Sequence, residues 1–263
     1  MIMDNAQYHA DPAISASHLH AVAKSPRHYY ARYLDPNRPL TIPTAAMTFG
    51  SLVHTAVLEP DELSKRYGVC PPRNTKAGKE AAAQMKADGI EAITQSDWDA
   101  AAAIAEAVYD HPIASDLLSQ GAPEQSFWWD DKDTGLRCKC RPDWLRPDGI
   151  VVDLKTTQDA SPKGFAKSVA NFRYHVQARH YLNGLEAERF VFIAVEKTYP
   201  YAVAVYELDG EALMEGDRLA QRDLRRIARC RELDQWPGYS HEITRLSLPM
   251  WAYNTDDITA EDF

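Results

Sequence analysis

Apolar positions in the first half of the chain follow a helical spacing and predict a mainly helical region. Ser15 is a favourable N-cap for a helix that reads ASHLHAVAKSPRHYYARYL, which Pro26 interrupts or kinks. A second apolar helix, AAMTFGSLVHTAVLE, is predicted to end at Pro60. Alanine-rich segments with high intrinsic helix propensity follow at residues 76–88 and 96–119.

The pattern changes after residue 120, where short runs of aromatic and β-branched residues are separated by turn signals. The runs EQSFWWDD, GLRCKCRPDWL and GIVVDLKTT predict three consecutive strands in a meander. A helix in two pieces is predicted at 161–187, two more strands at RFVFIAVEK and YAVAVYEL, and a long helix from 210 to about 233. Strands with helices on both sides predict an α/β fold around one mixed central sheet.

No linker interrupts this order, and 263 residues with 45% hydrophobic content can bury a substantial core. We therefore expect a single domain over residues 1–263. It would comprise a helical N-terminal part (about 14–120), a sheet core (about 121–233) and a C-terminal tail (about 234–263).

The segment RPDWLRPDGIVVDLKTT carries the candidate chemistry. Its Pro147-Asp148-Gly149 has the residues that a three-residue hairpin loop requires. With that loop, Arg146 pairs with Ile150, and the ladder sets Asp143 opposite Asp153 on one face of the sheet. Directly opposed residues have Cβ atoms about 4.5–5.5 Å apart, so two such carboxylates call for a cation between them.

Lys155 lies two residues beyond Asp153 and therefore points to the same face. Val152 and Leu154 point to the opposite face, where we expect a helix to cover them. An ordinary solvated ladder of Asp and Lys is the alternative interpretation. The apolar setting IVVDL weighs against it, because charges are costly to bury without a ligand.

Two further elements attract attention. Gln177 and Tyr181 in YHVQARHYLNGL lie one helical turn apart on one face, which a simple helix-surface contact would also explain. His54 lies in an apolar helix, where a histidine of the core is the alternative to a ligand. Gly50, one turn earlier, would let another backbone approach the face of that histidine.

Together these residues resemble a known family. The pattern D(x)nDxK, with Asp143, Asp153 and Lys155, resembles the PD-(D/E)XK nuclease superfamily. Gln177 and Tyr181 resemble the QxxxY element of its RecB-like branch, in which an upstream helix also supplies a histidine ligand. Three segments are similar to RecE-like phage exonucleases (exonuclease VIII): SASHLHAVAKSPRHYYARYLDP, FGSLVHTAVLEP and EQSFWWDDKDTGLRCKCRPDWL. This likeness runs from about residue 14 to about residue 233.

This resemblance implies a PD-(D/E)XK (restriction-endonuclease-like) fold and a site for Mg²⁺, with Mn²⁺ as a substitute. Asp143, Asp153 and the Leu154 carbonyl would supply oxygen ligands and His54 a nitrogen ligand. Lys155 would position and deprotonate a water. Glu124, near the aromatic run FWW, is a candidate second-metal ligand or an exposed acid at a strand edge. The candidate DNA-binding residues are Arg27, Arg141, Thr156, Gln177 and Tyr181, although Arg27 needs no special role as an arginine on a helix surface.

The resemblance also implies an activity and partners. The enzyme would digest linear double-stranded DNA from 5′ ends and leave 3′ single strands for a RecT-like annealing recombinase. It would work as a homo-oligomeric ring, a trimer or tetramer. An endonuclease or single-strand-specific nuclease on the same fold remains an alternative, as does a non-catalytic DNA-binding protein derived from it.

Charge and cysteine content add limits. A net charge of −9 argues against a protein that coats nucleic acid. Residues 132–179, however, carry ten Lys and Arg against five Asp, which suits an enzyme that binds nucleic acid at a single place. The four cysteines are too few and scattered for a disulfide framework and are expected to be free thiols; the CKC run is weak ground for a metal site. The chain lacks a signal-peptide pattern and a run of about 20 apolar residues, so a cytoplasmic protein is expected.

Overall fold

A five-stranded mixed sheet forms the centre of the computed structural model, which describes residues 5–39, 43–240 and 242–250. The strand order is β3-β6-β7-β8-β9, with β7 and β8 parallel and the other pairs antiparallel. The strands are β3 (Ala122–Pro123), β6 (Trp144–Leu145), β7 (Val151–Thr157), β8 (Phe190–Glu196) and β9 (Val203–Glu207).

Helices cover both faces of this sheet, and the first part of the chain is mainly helical. A π-helical turn (Tyr30–Leu34) continues α3, and a 3₁₀ turn (Pro60–Glu62) precedes α5. The helices are α1 (Asn5–Ala10), α2 (Ala16–Lys24), α3 (Pro26–Tyr29), α4 (Ala45–Leu58), α5 (Leu63–Arg66), α6 (Lys76–Ala87), α7 (Gln95–Asp110), α8 (Pro112–Leu118), α9 (Pro162–Phe172), α10 (Tyr174–Leu185) and α11 (Gly210–Leu233). The predicted α/β class, with a helical first half and a mixed sheet, is confirmed.

The tight turn between β6 and β7 fixes the pairing of the central hairpin. Gly149 has φ +82°, a conformation that glycine adopts readily, and its N–H donates to the Arg146 carbonyl at 3.0 Å. Leu145 pairs with Val151 and Trp144 with Val152, as the sequence predicts. Extending this pairing by one position sets Asp143 against Asp153.

The alternating side chains of β7 enter two different cores. Val152 and Leu154 pack with Leu52 and Val53 of α4 and with residues of α7. Val151 faces the other way and packs with Phe165 of α9 and with α10. The predicted helix over Val152 and Leu154 is therefore α4, and it brings its own polar residues to the edge of the hairpin.

The expected three-stranded meander is wrong in one respect. Strands β4 (Phe127–Asp130) and β5 (Arg137–Cys140) form a hairpin of their own, a separate two-stranded sheet. The chain leaves this ladder at Arg141-Pro142, where proline lacks the N–H that a continuing ladder needs. The free side of β6 pairs with β3 instead.

A second small sheet lies in the helical half. Strands β1 (Tyr67–Val69) and β2 (Glu91–Ile93) are parallel neighbours of three residues each. Neither is long enough to display the alternation that predicts strands.

The described residues also answer two expectations drawn from composition. All four cysteines are free and buried, as expected. Among the helices of the described residues, none combines the length and the apolar character needed to cross a bilayer.

His180 of α10 is a buried polar residue that joins this helix to β5. Its Nε2 lies 3.2 Å from the Lys139 carbonyl, and only 3% of the residue is exposed. Burial lowers the pKa of His180 to about 4, although its contacts with main-chain carbonyls oppose that shift. The folded protein therefore holds this imidazole neutral where an unfolded chain would protonate it.

We predict that His180 makes the protein less stable in mild acid. Above pH ~6.5 the imidazole is neutral in both the folded and the unfolded protein. Below pH ~6.5 the unfolded chain binds a proton at His180, whereas the folded protein binds it only when the pH falls to about 4. At pH ~5 this difference costs about 2 kcal/mol. His180→Gln should reduce the loss of unfolding free energy between pH ~7.5 and pH ~5, measured by urea denaturation. His20→Gln, at an exposed position, is the control and should behave as wild type; equal pH dependence in all three proteins would contradict the assignment.

Candidate active site

Asp143 stands where the chain enters the central hairpin. Its Oδ2 accepts a hydrogen bond from the Leu154 N–H at 2.8 Å, which ties the carboxylate to the strand opposite. Burial raises the pKa of Asp143, while the Lys155 charge and the Leu154 N–H oppose the shift. The predicted position of Asp143 across from β7 is therefore the one the structure has.

Asp153 lies at the centre of β7 and is fully buried. Its Oδ1 accepts a hydrogen bond from Gln177 Nε2 at 2.7 Å, and Lys155 Nζ lies 2.5 Å from its Oδ2. Burial raises the pKa of Asp153 to about 6; the Lys155 charge opposes the shift and the Asp143 charge adds to it. The buried Asp153 and the partly buried Asp143 therefore lie near one cation, Lys155.

Lys155 extends along the same face as Asp153. Burial would lower the pKa of this lysine, but the charges of Asp153 and Asp143 outweigh it and raise the pKa. The ammonium also lies 4.7 Å from the centre of the Tyr174 ring, a favourable cation-π distance. In this environment Lys155 stays protonated at neutral pH and acts as a fixed positive charge.

His54 reaches the site from α4. Its Nδ1 lies 3.6 Å from Asp143 Oδ2, and 29% of its side chain is exposed, so the imidazole faces a cavity rather than a sealed core. Burial and the nearby Lys155 charge lower the pKa of His54 to about 4, while the Leu154 main chain opposes the shift. A neutral imidazole has a lone pair available for a metal.

The role expected for Gly50 is wrong. A Cβ at Gly50 would meet only the Thr156 hydroxyl, at 4.0 Å, which is ordinary contact. No backbone among the described residues uses the space beside this glycine within that distance. Thr156 therefore faces α4, on the side of β7 opposite to Asp153.

Glu124 and Arg141 complete the acidic side of the site. The Glu124 N–H donates to the Asp143 carbonyl at 3.3 Å, and Arg141 Nη1 lies 3.9 Å from the Glu124 carboxylate. Burial, with the Asp143 charge, raises the pKa of Glu124 to about 8. The Glu124 side chain is 36% exposed directly after β3, so both interpretations, a second-metal ligand and an exposed acid at a strand edge, stay predictions.

Gln177 and Tyr181 both reach out of α10 towards the hairpin. Gln177 binds Asp153, and the Tyr181 hydroxyl donates to the Arg141 carbonyl at 3.3 Å. Tyr181 is buried, so it supports the chain next to Asp143 rather than lying open to a ligand. A simple contact on the helix surface does not account for the pair.

Arg27 is the one candidate that the structure does not bring to this place. It is exposed on α3, where its main-chain N–H donates to the Pro237 carbonyl and its guanidinium lies 5.7 Å from the centre of the Tyr30 ring. It lines neither of the cavities beside the acids. A role for Arg27 in DNA binding stays a prediction.

Two cavities flank the carboxylates. One of about 450 Å³ is bordered by Gln177, Tyr181 and several cationic side chains. The other, about 760 Å³, is bordered by His54 and Glu59. Glu124 and Arg141 border both cavities, whereas Asp143 and Asp153 border neither and are reached through their contacts with His54 and Gln177.

The residue types at this site suit a divalent cation, although their side chains are not arranged around a position for one. In the described part of the chain, no three His, Cys, Asp or Glu side chains are arranged to hold a metal ion. Asp153 is turned to Gln177 and Lys155, and its Oδ2 is paired with the Lys155 ammonium. Two carboxylates beside a neutral imidazole are nevertheless a donor set that suits Mg²⁺ or Mn²⁺.

Tyr174 and Lys139 were missed in the sequence. Tyr174 precedes Gln177 by one helical turn, so its place beside Lys155 could have been found from the helix. Lys139 sits in RCKCR, a run that gives no sign of burial, yet only 2% of it is exposed. Its environment depends on a segment far away in the sequence.

Comparison with known proteins identifies the class. The family model described as PDDEXK-like domain of unknown function (DUF3799) matches residues 15–248. Because this match spans most of the chain, the chain belongs to that family, within the PD-(D/E)XK nuclease superfamily. A search of curated proteins finds no match.

One solved structure shares the fold over nearly the whole chain. The crystal structure of a "Putative exonuclease" from Eubacterium rectale has a TM-score of 0.67 with this chain at 15% identity, covering 97% of this chain and 98% of that one. A phage related exonuclease from Haemophilus somnus 129PT has a TM-score of 0.36 at 11% identity, covering 68% of this chain and 96% of that one. At such low identity the first similarity establishes the fold, and the activity must be argued from the site.

We predict a strong energetic coupling between Asp153 and Lys155. Lys155→Met leaves a buried carboxylate without its cation and should lower the unfolding free energy by about 3 kcal/mol at neutral pH. Adding Asp153→Asn should recover part of that loss, because the double variant buries no lone charge. Urea denaturation in a chelating buffer measures both, with Lys163→Met at an exposed position as control; simple additivity of the two single changes would contradict the coupling.

Proposed function

We propose that this protein is a metal-dependent exodeoxyribonuclease that degrades linear double-stranded DNA. The observation that carries the proposal is the placement of Asp143 and Asp153 across one hairpin, with Lys155 on the same face. Membership in the PDDEXK-like family supports a hydrolase acting on phosphodiesters.

Four groups would hold the catalytic cation: the carboxylates of Asp143 and Asp153, the Leu154 carbonyl and the His54 imidazole. Mg²⁺ is the proposed ion, with Mn²⁺ as its substitute, and Glu124 is the candidate ligand for a second ion. When bound, the cation would make a water more acidic and neutralise charge on the scissile phosphate.

The remaining residues would orient the reaction. Gln177 fixes the Asp153 carboxylate through its 2.7 Å hydrogen bond. Lys155 would hold the attacking water and the phosphate by its positive charge. To act as a base it would first have to release its own proton to solvent, which would become easier once Asp153 served a cation instead of the ammonium, because the Asp153 charge raises the lysine's pKa. Arg141 and Thr156 are proposed to bind the DNA backbone, with Tyr181 supporting the chain at Arg141.

The finer points of the proposal follow from the resemblance to RecE-like exonucleases. Digestion would run 5′ to 3′ and leave 3′ single strands for a RecT-like annealing recombinase in the cytoplasm. A ring of three or four subunits would hold the DNA during repeated cleavage.

We predict that Asp153→Asn and Lys155→Ala each lower nucleotide release at least ~100-fold, since each removes a group at the reacting atoms. The assay measures acid-soluble nucleotide from end-labelled linear duplex with Mg²⁺. Asp148→Asn, in the exposed hairpin loop, and Lys163→Ala are matched controls and should keep wild-type rates. Circular dichroism checks the fold, and robust activity in either site variant would refute the assignment.

We also predict a strict need for DNA ends. Wild-type protein with Mg²⁺ should release nucleotides from linear duplex, 5′ label first, and leave covalently closed circles intact. Nicking of circles would identify an endonuclease, preference for single strands a single-strand nuclease, and inertness a binding protein.

A further inference from the structure

Lys139 is a buried cation whose partners come from the N-terminal segment. Its Nζ donates to the main-chain carbonyls of Tyr8 and Asp11, the latter at 2.8 Å. The Tyr8 ring also lies over the ammonium, 4.4 Å from Nζ to the ring centre. We call residues 5–11 the N-terminal cap, because they close over this lysine.

The same cap covers Arg141. The guanidinium of Arg141 lies 4.0 Å from the centre of the Tyr8 ring, and its Nη1 donates to Asn5 Oδ1 at 3.2 Å. Lys139 and Arg141 are two residues apart along one extended segment, so their side chains point to the same side. One aromatic ring and a few neutral oxygens therefore cover two adjacent cations, and the Asp11 carboxylate lies 3.9 Å from Lys139 Nζ. Arg141 also has partners outside the cap, the Ser126 hydroxyl and the Glu124 carboxylate.

The cap also divides the space around the carboxylates. Asn5 and His9 border both the 450 Å³ cavity and the 760 Å³ cavity. The first cavity is bordered by Gln177, which binds Asp153, and the second by His54, which lies beside Asp143, so the cap lies at the boundary of both cavities. The family match begins at residue 15, and the cap therefore lies outside the matched domain.

The acceptors that the cap supplies are of the kind that a nucleic acid backbone could replace. A buried cation must keep its hydrogen-bond acceptors, so Lys139 and Arg141 cannot simply be uncovered. Phosphate oxygens make stronger, charge-assisted bonds to such cations than neutral carbonyl or amide oxygens do. Exchange of the cap for a phosphate backbone would thus leave both cations satisfied and join the two cavities.

We propose that nucleic acid displaces the N-terminal cap, and that Lys139 then binds backbone phosphate beside Arg141 on the path to the paired acids. This inference rests on the proposed function as a nuclease, and it adds Lys139 as a backbone-binding residue and the cap as its competitor.

The test measures DNA binding in the absence of cleavage. Fluorescence anisotropy of a labelled duplex gives the affinity, with a chelator present and over a range of salt concentrations. Tyr8→Ala removes the ring that holds the cap and should bind about tenfold tighter at low salt. When log affinity is plotted against log salt concentration, the slope for Tyr8→Ala should be steeper than the wild-type slope by ~1–2. Each phosphate that is newly neutralised adds about 0.9 to the steepness of this slope. Tyr8→Phe keeps the ring and should match wild type.

A second change isolates Lys139. Lys139→Met in the Tyr8→Ala protein should remove part of the added slope, whereas a lysine that only anchors the cap would leave the slope of Tyr8→Ala unchanged. Hydrogen exchange on the wild-type protein gives an independent measure if the variants fold poorly. The amides of residues 5–11 should exchange faster with DNA bound than without it.

The outcomes separate the two proposals. DNA binding with equal affinity and equal slope in wild type, Tyr8→Phe and Tyr8→Ala would overturn the cap while leaving the nuclease proposal intact. Slower exchange of residues 5–11 in the complex would do the same. Failure of every protein to bind DNA at low salt would overturn both.

Discussion

The site depends on one constraint: a tight hairpin holds two carboxylates, the buried Asp153 and the partly buried Asp143, opposite each other. Asp143 and Asp153 would repel each other if both were charged, and burial raises the pKa of each. Lys155 relieves the repulsion from one side, with its ammonium against Asp153. Two ionised acids beside one ammonium leave a net negative charge, which favours a further cation, and carboxylate oxygens are the ligands that Mg²⁺ and Mn²⁺ prefer.

The rest of the fold serves this pair. Helix α4 packs on one face of β7 through apolar residues and so carries His54 to the edge of the hairpin, where it meets Asp143. Helix α10 packs on the other face and turns Gln177 to Asp153. The two faces of one strand thus determine which helix supplies the imidazole and which the amide.

Local signals in the sequence predicted this centre well. Pro147 and Gly149 define the loop, the loop defines the pairing, and the pairing places Asp143 opposite Asp153 without reference to distant residues. A cap and a proline likewise predicted helix ends, because both act locally: Ser15 precedes α2, and α4 ends at Leu58, just before Pro60.

What the sequence could not reveal depends on distant contacts. The separation of the β4–β5 hairpin from the main sheet reflects the competing pairing of β6 with the two-residue strand β3. The burial of Lys139 requires acceptors more than a hundred residues away, and no periodicity in RCKCR encodes them. The sequence around a helical arginine does not show where its helix will pack. The position of Arg27 away from the site could therefore be seen only in the structure.

Anomalous diffraction from crystals grown with Mn²⁺ shows directly whether Asp143 and Asp153 bind one cation together. Shared binding predicts a strong peak within ligand distance, about 2.0–2.5 Å, of a carboxylate oxygen from both Asp143 and Asp153, with Lys155 moved away from Asp153. A peak at any other place, or none at saturating Mn²⁺ with the two acids still ordered as described, would contradict it.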